Sequence, residues 1–510
     1  MAINQNDIIY FILTDRFYGV ENKNVKDINK SNKTTYHGGN FDGIVEKIPY
    51  LKKLGITALW ITPVYLQVPP VNESGKEEAL NYSYHGYWPL DFNKVDPHLY
   101  ADKKKYPAGS KKYLKDLADK LHENGIKLIL DLVVNHTGYN HPGTVGAENN
   151  PTPIRPNWFN KKGLNCADDV IKGELSALPD MDLDNPDVVY YHINTILSWI
   201  EETGVDAIRM DTVRHVEKAF WNYYKTMVKG KYTEVSLIGE VLVFDTKSIS
   251  EYQKHFAFDS LFDFPLQKAI CDTFIYDGSL VELVSPFNRG FGILESDNVY
   301  TNQNKLVTLL DNHDLSARFA SWVNQKHGNN FKTEASVNTI KLALSFLFTV
   351  RGIPQIYYGT EIGMEGFCDP DNRKDFEWEK FDKNYNVKKK YVFEKDIFEH
   401  TCKLIKIKKE NEALYCGNLI CIYVDTFVIA YLRYFKENII IVVINNGNMD
   451  MPGPIELRIN DNNSLPTIIK EKIANGNFTC LISDKKVKAK DGVISVQLKG
   501  KDCVVLRNEI

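Results

Sequence analysis

Asn185-Pro-Asp-Val-Val-Tyr-Tyr-His-Ile-Asn-Thr-Ile-Leu-Ser-Trp-Ile-Glu-Glu-Thr203, then Gly204, then Val205-Asp-Ala-Ile-Arg-Met-Asp211 is the stretch that decides the fold. Val189, Ile193, Ile196, Leu197 and Ile200 recur at helical spacing. Asn185 offers an N-cap, Pro186 suits the first helical position, and Gly204 suits the left-handed C′ position. The short apolar run to Met210 reads as a buried strand, and it ends in a carboxylate.

The same unit recurs outward along the chain. Residues 41–54, Gly55 and Ile56 to Ile61 form one copy. Residues 110–124, with Ser110 placed to cap, Gly125 and Ile126 to Leu130 form a second; residues 336–350, Gly352 and Ile353 to Tyr358 form another. Helix followed by buried strand, repeated, predicts an α/β fold with a parallel sheet. Over roughly 400 residues this is a (β/α)8 TIM barrel. Residues 137–179 break the rhythm, being rich in Gly, Pro and Asn, and predict a loop-rich insertion after strand 3. Beyond about 410 short β runs take over, at Leu419 to Val424, Phe427 to Tyr434, Ile439 to Ile444, Val493 to Leu498 and Cys503 to Leu506. The expected division is a barrel over 1–136 and 180–410, an inserted domain over 137–179, and a C-terminal antiparallel β-sandwich over 411–510.

Composition narrows the function classes. The 510 residues are 43% hydrophobic and 25% charged, with net charge −4, which offers nothing to nucleic acid. The longest apolar runs, 342–350 and 439–444, are too short to span a bilayer, so no membrane partner is expected. Eight cysteines without a CxxC pair read as reduced thiols. Ile8-Ile9-Tyr10-Phe11 follows the first residue almost at once, with no charged segment or cleavage site before it; together with the reduced thiols this predicts a cytoplasmic protein, or a secreted one if a leader was trimmed, and a monomer is expected.

Barrel active sites are built at the C-terminal strand ends, and these ends are charged. The runs finish at Asp131 to His136, at Arg209-Met-Asp211, at Glu240 after residues 236–239, and at Asp311-Asn-His-Asp314. Strand period puts Arg209 and Asp211 on one face with Ala207 and Val205. An anionic carboxylate with a cationic neighbour suits a nucleophile. Glu240, following Leu237-Ile-Gly239, suits a proton donor. Asp131 reads as a structural partner of Arg209. Trp60, Trp88 and Trp199 read as core, and Asp15–Arg16 as a buried ion pair.

With these residues in place the chain resembles the α-amylase family of glycoside hydrolases. Asp131-Leu-Val-Val-Asn-His136, Gly204-Val-Asp-Ala-Ile-Arg-Met-Asp-Thr-Val-Arg-His215, Ile238-Gly-Glu-Val241 and Leu310-Asp-Asn-His-Asp314 resemble its signatures in order. Leu178-Pro-Asp-Met-Asp182, Thr14-Asp-Arg-Phe17, Tyr84-His-Gly-Tyr-Trp88, Gly352 to Gly359 and Asp369-Pro-Asp-Asn-Arg373 resemble further family blocks. The resemblance implies a retaining endo-acting hydrolase of α-1,4-glucosidic bonds, with an α-glucan or malto-oligosaccharide as substrate. Asp211 would be nucleophile, Glu240 acid/base and Asp314 the third essential carboxylate. Tyr87, His136, Arg209, His313 and His85 would serve the sugar at the cleavage point, Asp369 and Arg373 its neighbour, and Arg214 and His215 the leaving-group side. It also implies a Ca2+ ion held by Asn135, Asp180, the His215 carbonyl and an acid from the insertion, for which Asp168 or Asp169 is the candidate.

The chain departs from the family at Arg214, where lysine is usual; its planar fork changes leaving-group contacts. Two other readings stand beside the hydrolase. One is a cyclomaltodextrinase, maltogenic or transglycosylating relative, which the family's extra N-terminal and starch-binding modules would mark. The other is a non-catalytic binding homologue, which should have lost part of the acid set.

Overall fold

The computed structural model describes residues 2–22, 25–72, 80–256, 258–284, 299–328 and 332–509. Eight parallel strands form the barrel: β1 (Ile9–Ile12), β2 (Ala58–Ile61), β3 (Lys127–Leu132), β4 (Ala207–Met210), β5 (Ser236–Gly239), β6 (Ser260–Leu261), β7 (Val307–Leu309) and β8 (Ile353–Tyr357). Hydrogen bonding runs in the order β6-β5-β4-β3-β2-β1-β8-β7, and a parallel bridge from Phe262 to Val307 closes the ring. The strands read as unbroken hydrophobic runs because helices cover their outer face and side chains fill the inner one.

The repeating unit is as expected. A helix spans Pro186–Thr203, with Asn185 accepting from the Asp187 N–H and Gly204 left-handed at φ 70°. Another spans Glu334–Thr349. Two expectations need correction. Residues 41–54 make two helices, Phe41–Glu46 and Ile48–Leu54, because Pro49 has no N–H to continue the first. The helix Lys112–Glu123 has Lys111 at its N-cap, and the Ser110 hydroxyl only reaches the Lys112 N–H at 3.3 Å.

The insertion after β3 carries only short 3-10 turns, Pro142–Thr144, Pro156–Trp158 and Leu175–Ala177. Its two ends meet: Thr137 N donates to Pro179 O at 3.1 Å, and Met181 N to Asn135 O at 2.8 Å. Among the described residues no helix is long and apolar enough to cross a membrane.

The C-terminal part is an antiparallel six-stranded sheet in the order Asn418–Val424, Val428–Phe435, Asn438–Asn445, Asp502–Asn508, Asn477–Cys480, Lys486–Lys488. A ribbon of Ile455–Arg458 with Val493–Val496 packs on one face, around Leu457, Ile494, Leu432 and Ile441. The other face meets the barrel. Buried Arg433 donates to Thr349 O at 3.1 Å, and Asn446 Nδ2 to Thr273 O at 2.9 Å.

Two glycines separate strain from contact. Around Gly204 an added Cβ would meet nothing within 4 Å. Gly204→Ala should therefore cost only the left-handed penalty, about 1–2 kcal/mol, and leave activity unchanged. At Gly239 a Cβ would stand 2.8 Å from the Phe258 ring and 2.9 Å from Leu261, one residue before Glu240. Gly239→Ala should depress activity as well as stability. Urea unfolding and an activity assay on both variants check this contrast.

Candidate active site

Register brings the charged groups together. Asp131 on β3 pairs with Arg209 on β4, which pairs with Ile238 on β5; Glu240 then stands one residue beyond the Met210–Gly239 pair. Arg209 is 1% exposed and lies between three carboxylates. Its Nη1 donates to Asp131 Oδ1 at 2.9 Å and to Asp211 Oδ1 at 2.7 Å, and its Nη2 lies 2.8 Å from Glu240 Oε1. Asp211 and Glu240 therefore face the two ends of one planar guanidinium. Glu240 Oε2 also accepts from the Thr212 N–H at 3.1 Å, and Thr212 is left-handed at φ 48°. A threonine there is strained, and the strain is local to the turn that carries Asp211.

Aromatic rings line the barrel beneath. Phe11 and Trp60 stack at 3.6 Å, and the Trp60 indole donates to Asp131 Oδ2 at 3.0 Å. The Arg209 guanidinium carbon sits 5.2 Å from the Trp60 ring centroid, a cation–π contact in a dry interior. Tyr87 Oη donates to the same Asp131 oxygen at 2.8 Å. Its ring stacks on His313 at 5.2 Å, and its carbonyl accepts from His136 Nε2 at 3.1 Å.

Above these groups opens a cleft of about 550 Å3. It brings together Asp211, Glu240, Asp314, Tyr87, His85, His136, His313, Arg214, His215, Asp369 and Arg373. Arg373 organises one side, with Nη2 3.3 Å from Asp314 and Nη1 3.2 Å from Asp369. Nδ1 of His136 and Nδ1 of His313 are buried without a protein partner. Burial lowers the affinity of both rings for a proton, and for His313 the charges of Arg373 and Arg209 lower it further. Neutral imidazoles suit hydrogen bonding to sugar hydroxyls better than carrying charge.

Burial raises the Glu240 carboxyl well above the ordinary range; Arg209 opposes the shift, while Asp211 and Asp314 add to it. Burial likewise lifts Asp131 to about 7 against the pull of Arg209. The carboxyl beside Asp211 thus holds a proton more tightly than an ordinary carboxylate and lines the cleft, the condition for a proton donor.

Several expectations are corrected. Arg209 is not among the residues that line the cleft: it is 1% exposed, and its guanidinium lies against three carboxylates beneath the opening. Asp131 is its structural partner as expected. Trp60 and Trp199 are core, but Trp88 lines the cleft, edge-on to Tyr139 at 4.9 Å. Its place beside Tyr87 was the available signal. Tyr139, Leu175, Ser176 and Leu178 of the opposite wall come from the insertion or its edge, where no periodicity marks them. Asp15 and Arg16 form the expected buried pair at 2.8 Å.

The residues expected to hold calcium partly fit such an ion. Asp180 Oδ1 and Asn135 Nδ2 are buried without partners, at the seam where the insertion's ends meet. An amide whose two ends are interchangeable can turn its oxygen to a cation. Burial, with Glu217 and Glu174 nearby, raises the Asp180 carboxyl to about 8. Asp168 does not share this environment. It is exposed, and Glu217 and Glu174, not Asp168, are the acids whose charge acts most on Asp180.

The family model described as "Alpha amylase, catalytic domain" matches residues 11–381. The chain is 30% identical to a cyclomaltodextrinase of Thermoanaerobacter pseudethanolicus over 86% of its length and 70% of that protein's. It is 30% identical to a beta/alpha-amylase of Paenibacillus polymyxa, of which it spans only 37%. Among solved structures, the Geobacillus thermoleovorans alpha-amylase complexed with acarbose superposes with TM-score 0.81 at 29% identity, covering 100% of both chains. An Anoxybacillus alpha-amylase gives TM-score 0.81 at 31% identity, over 99% of this chain and 98% of that one.

Two outcomes follow from the guanidinium and its acids. Arg209→Lys keeps a charge but loses the fork, so kcat/KM should fall about a hundredfold or more. Asp314 is one of the charges that keep the proton on Glu240, so Asp314→Asn should move the alkaline limb of the residual kcat/KM profile to lower pH. A limb that stays or rises would contradict the assignment. The strand-end acids on one guanidinium, the cleft above them and the family match over most of the barrel agree: the chain belongs to the alpha-amylase family of glycoside hydrolases and carries its catalytic domain.

Proposed function

We propose that this protein is a retaining, endo-acting hydrolase of α-1,4-glucosidic bonds in starch, glycogen or maltodextrins. The observation that carries the reading is the single guanidinium gripped by both Asp211 and Glu240. Retaining glycosidases need two carboxyl groups about 5–5.5 Å apart, one nucleophilic and one protonated. Asp211 attacks the anomeric carbon while Glu240 protonates the leaving oxygen. Glu240 then takes a proton from water, which releases the sugar from Asp211. Asp314, paired with Arg373 and His313, grips sugar hydroxyls, and the stacked Tyr87 and His313 rings shape the same subsite. Cleft residues on both sides of the acids support endo action on chains of several sugars.

A calcium ion would be held by Asn135, Asp180 and the His215 carbonyl, and would fasten the insertion to the barrel beside the cleft. It would supply positive charge to a buried carboxylate and take no part in bond cleavage.

A transglycosylating or cyclodextrin-cleaving enzyme is the second reading, and one observation favours keeping it. The chain shares 30% identity both with a Bacillus cyclomaltodextrin glucanotransferase, of which it spans 60%, and with the cyclomaltodextrinase, of which it spans 70%. A glucanotransferase described as having a three-domain ABC distribution covers 99% of the chain at 26% identity, so domain number does not separate the activities. Chromatography of products from soluble starch and from a cyclodextrin separates them. Linear maltodextrins from starch with slow cyclodextrin cleavage are expected; cyclic products, or preference for the cyclodextrin, would overturn the hydrolase reading.

Glu240→Gln should lower kcat roughly a thousandfold or more, and Asp211→Ala at least as much, with unchanged circular dichroism. Proton NMR of fresh hydrolysate should show the α anomer first. EDTA should lower the melting temperature of the wild type, and Asp180→Ala should remove part of calcium's stabilising effect.

A further inference from the structure

Outside the residues that line the cleft, three more acids converge. Asp182 and Asp184 lie on the turn that leads into the helix Pro186–Thr203, and Glu217 begins the helix Lys218–Tyr224 after β4. One carboxylate oxygen of each lies within 4.8 Å of the other two. Oxygens sharing one calcium ion at 2.3–2.6 Å can stand no more than about 5 Å apart, so this spacing admits the ion without rearrangement.

The second observation concerns Glu217. It is 6% exposed, and its Oε1 is buried with no hydrogen-bond partner. A buried carboxylate oxygen facing two other carboxylates is costly unless a cation or proton joins it. Asp182 Oδ1 already accepts the Asp184 N–H at 3.1 Å, which braces the turn. Lys172 Nζ lies 2.9 Å from Asp184 Oδ2. Its side chain is 45% exposed, so it caps the mouth of the cluster and does not fill it.

We propose that Asp182, Asp184 and Glu217 form a divalent-cation site, separate from the Asn135–Asp180 pair and sharing no side chain with it. Calcium is its ligand by chemistry, since a cluster of carboxylate oxygens is the donor set this hard cation takes. Binding displaces Lys172 from Asp184 and ties the exit of the insertion to the segment just after Arg214 and His215, two residues of the cleft wall. The site does not depend on the catalytic reading.

Counting ions tests it. Chelator-treated wild type, Asp184→Asn, Glu217→Gln and Asp180→Ala would be equilibrated with calcium, dialysed and assayed for metal per chain. Asp184→Asn and Glu217→Gln should each hold one ion fewer than the wild type, whether or not Asp180→Ala also loses one. In the metal-free state Glu217→Gln should melt higher than the wild type, because a like charge is gone, yet gain less from added calcium. Both variants are near-isosteric, and their folding is checked by the melt itself. Equal ion counts in wild type and both variants, or no ion bound by the wild type at millimolar calcium, would overturn the proposal.

Discussion

The active end of this barrel depends on one buried guanidinium. Arg209 is surrounded by Asp131, Asp211 and Glu240, with Trp60 against its face. Removing one partner from such a cluster leaves charge buried without compensation, so the groups stand or fall together. The arrangement sorts the acids by role. Asp131 is consumed by Arg209, Trp60 and Tyr87 and becomes structure. Asp211 and Glu240 each give one oxygen to Arg209. Burial and the neighbouring anions raise the proton affinity of Glu240 against the pull of Arg209. A preorganised site results, and it needs little reorganisation when charge develops on the sugar.

Much of this was legible in the sequence, for reasons that particular residues make plain. Long amphipathic helices with glycine stops, such as Pro186–Thr203 before Gly204, announce themselves. So do hydrophobic runs that end abruptly in charge, as at Asp211 and Glu240. Strand β6, only Ser260–Leu261, carries too few residues to show a pattern, and it forms because β5 lies beside it. The C-terminal strands Ile455–Arg458, Asn477–Cys480 and Lys486–Lys488 escaped notice because they are three or four residues long. Pro49 shows the limit of helical spacing as a guide: the apolar face continues through it, but the hydrogen bonding does not.

Site residues were legible by type and less so by task. Every residue expected to meet substrate lines the cleft except Arg209. Sequence position says that Arg209 is near Asp211; only three dimensions show that its guanidinium is buried among three carboxylates. Trp88 errs in the opposite direction, since a large aromatic beside a buried segment reads as core until the cleft is seen to open above it. Asp168 illustrates a third case. In a segment without periodicity, nothing in the sequence ranks one acid above another, and Glu217 and Glu174 prove to be the acids that act on Asp180.

The central claim is that Asp211, held by Arg209 beside Glu240, forms a covalent bond to the sugar. A maltosyl fluoride, whose leaving group needs no protonation, offered to Glu240→Gln isolates that step. The acid/base is then missing only for release, so the glycosyl-enzyme should accumulate. Mass spectrometry of the intact protein followed by peptide mapping should find one maltosyl unit on the peptide that carries Asp211. An adduct on another residue, or turnover of the fluoride to β-maltose without any adduct, would contradict the account.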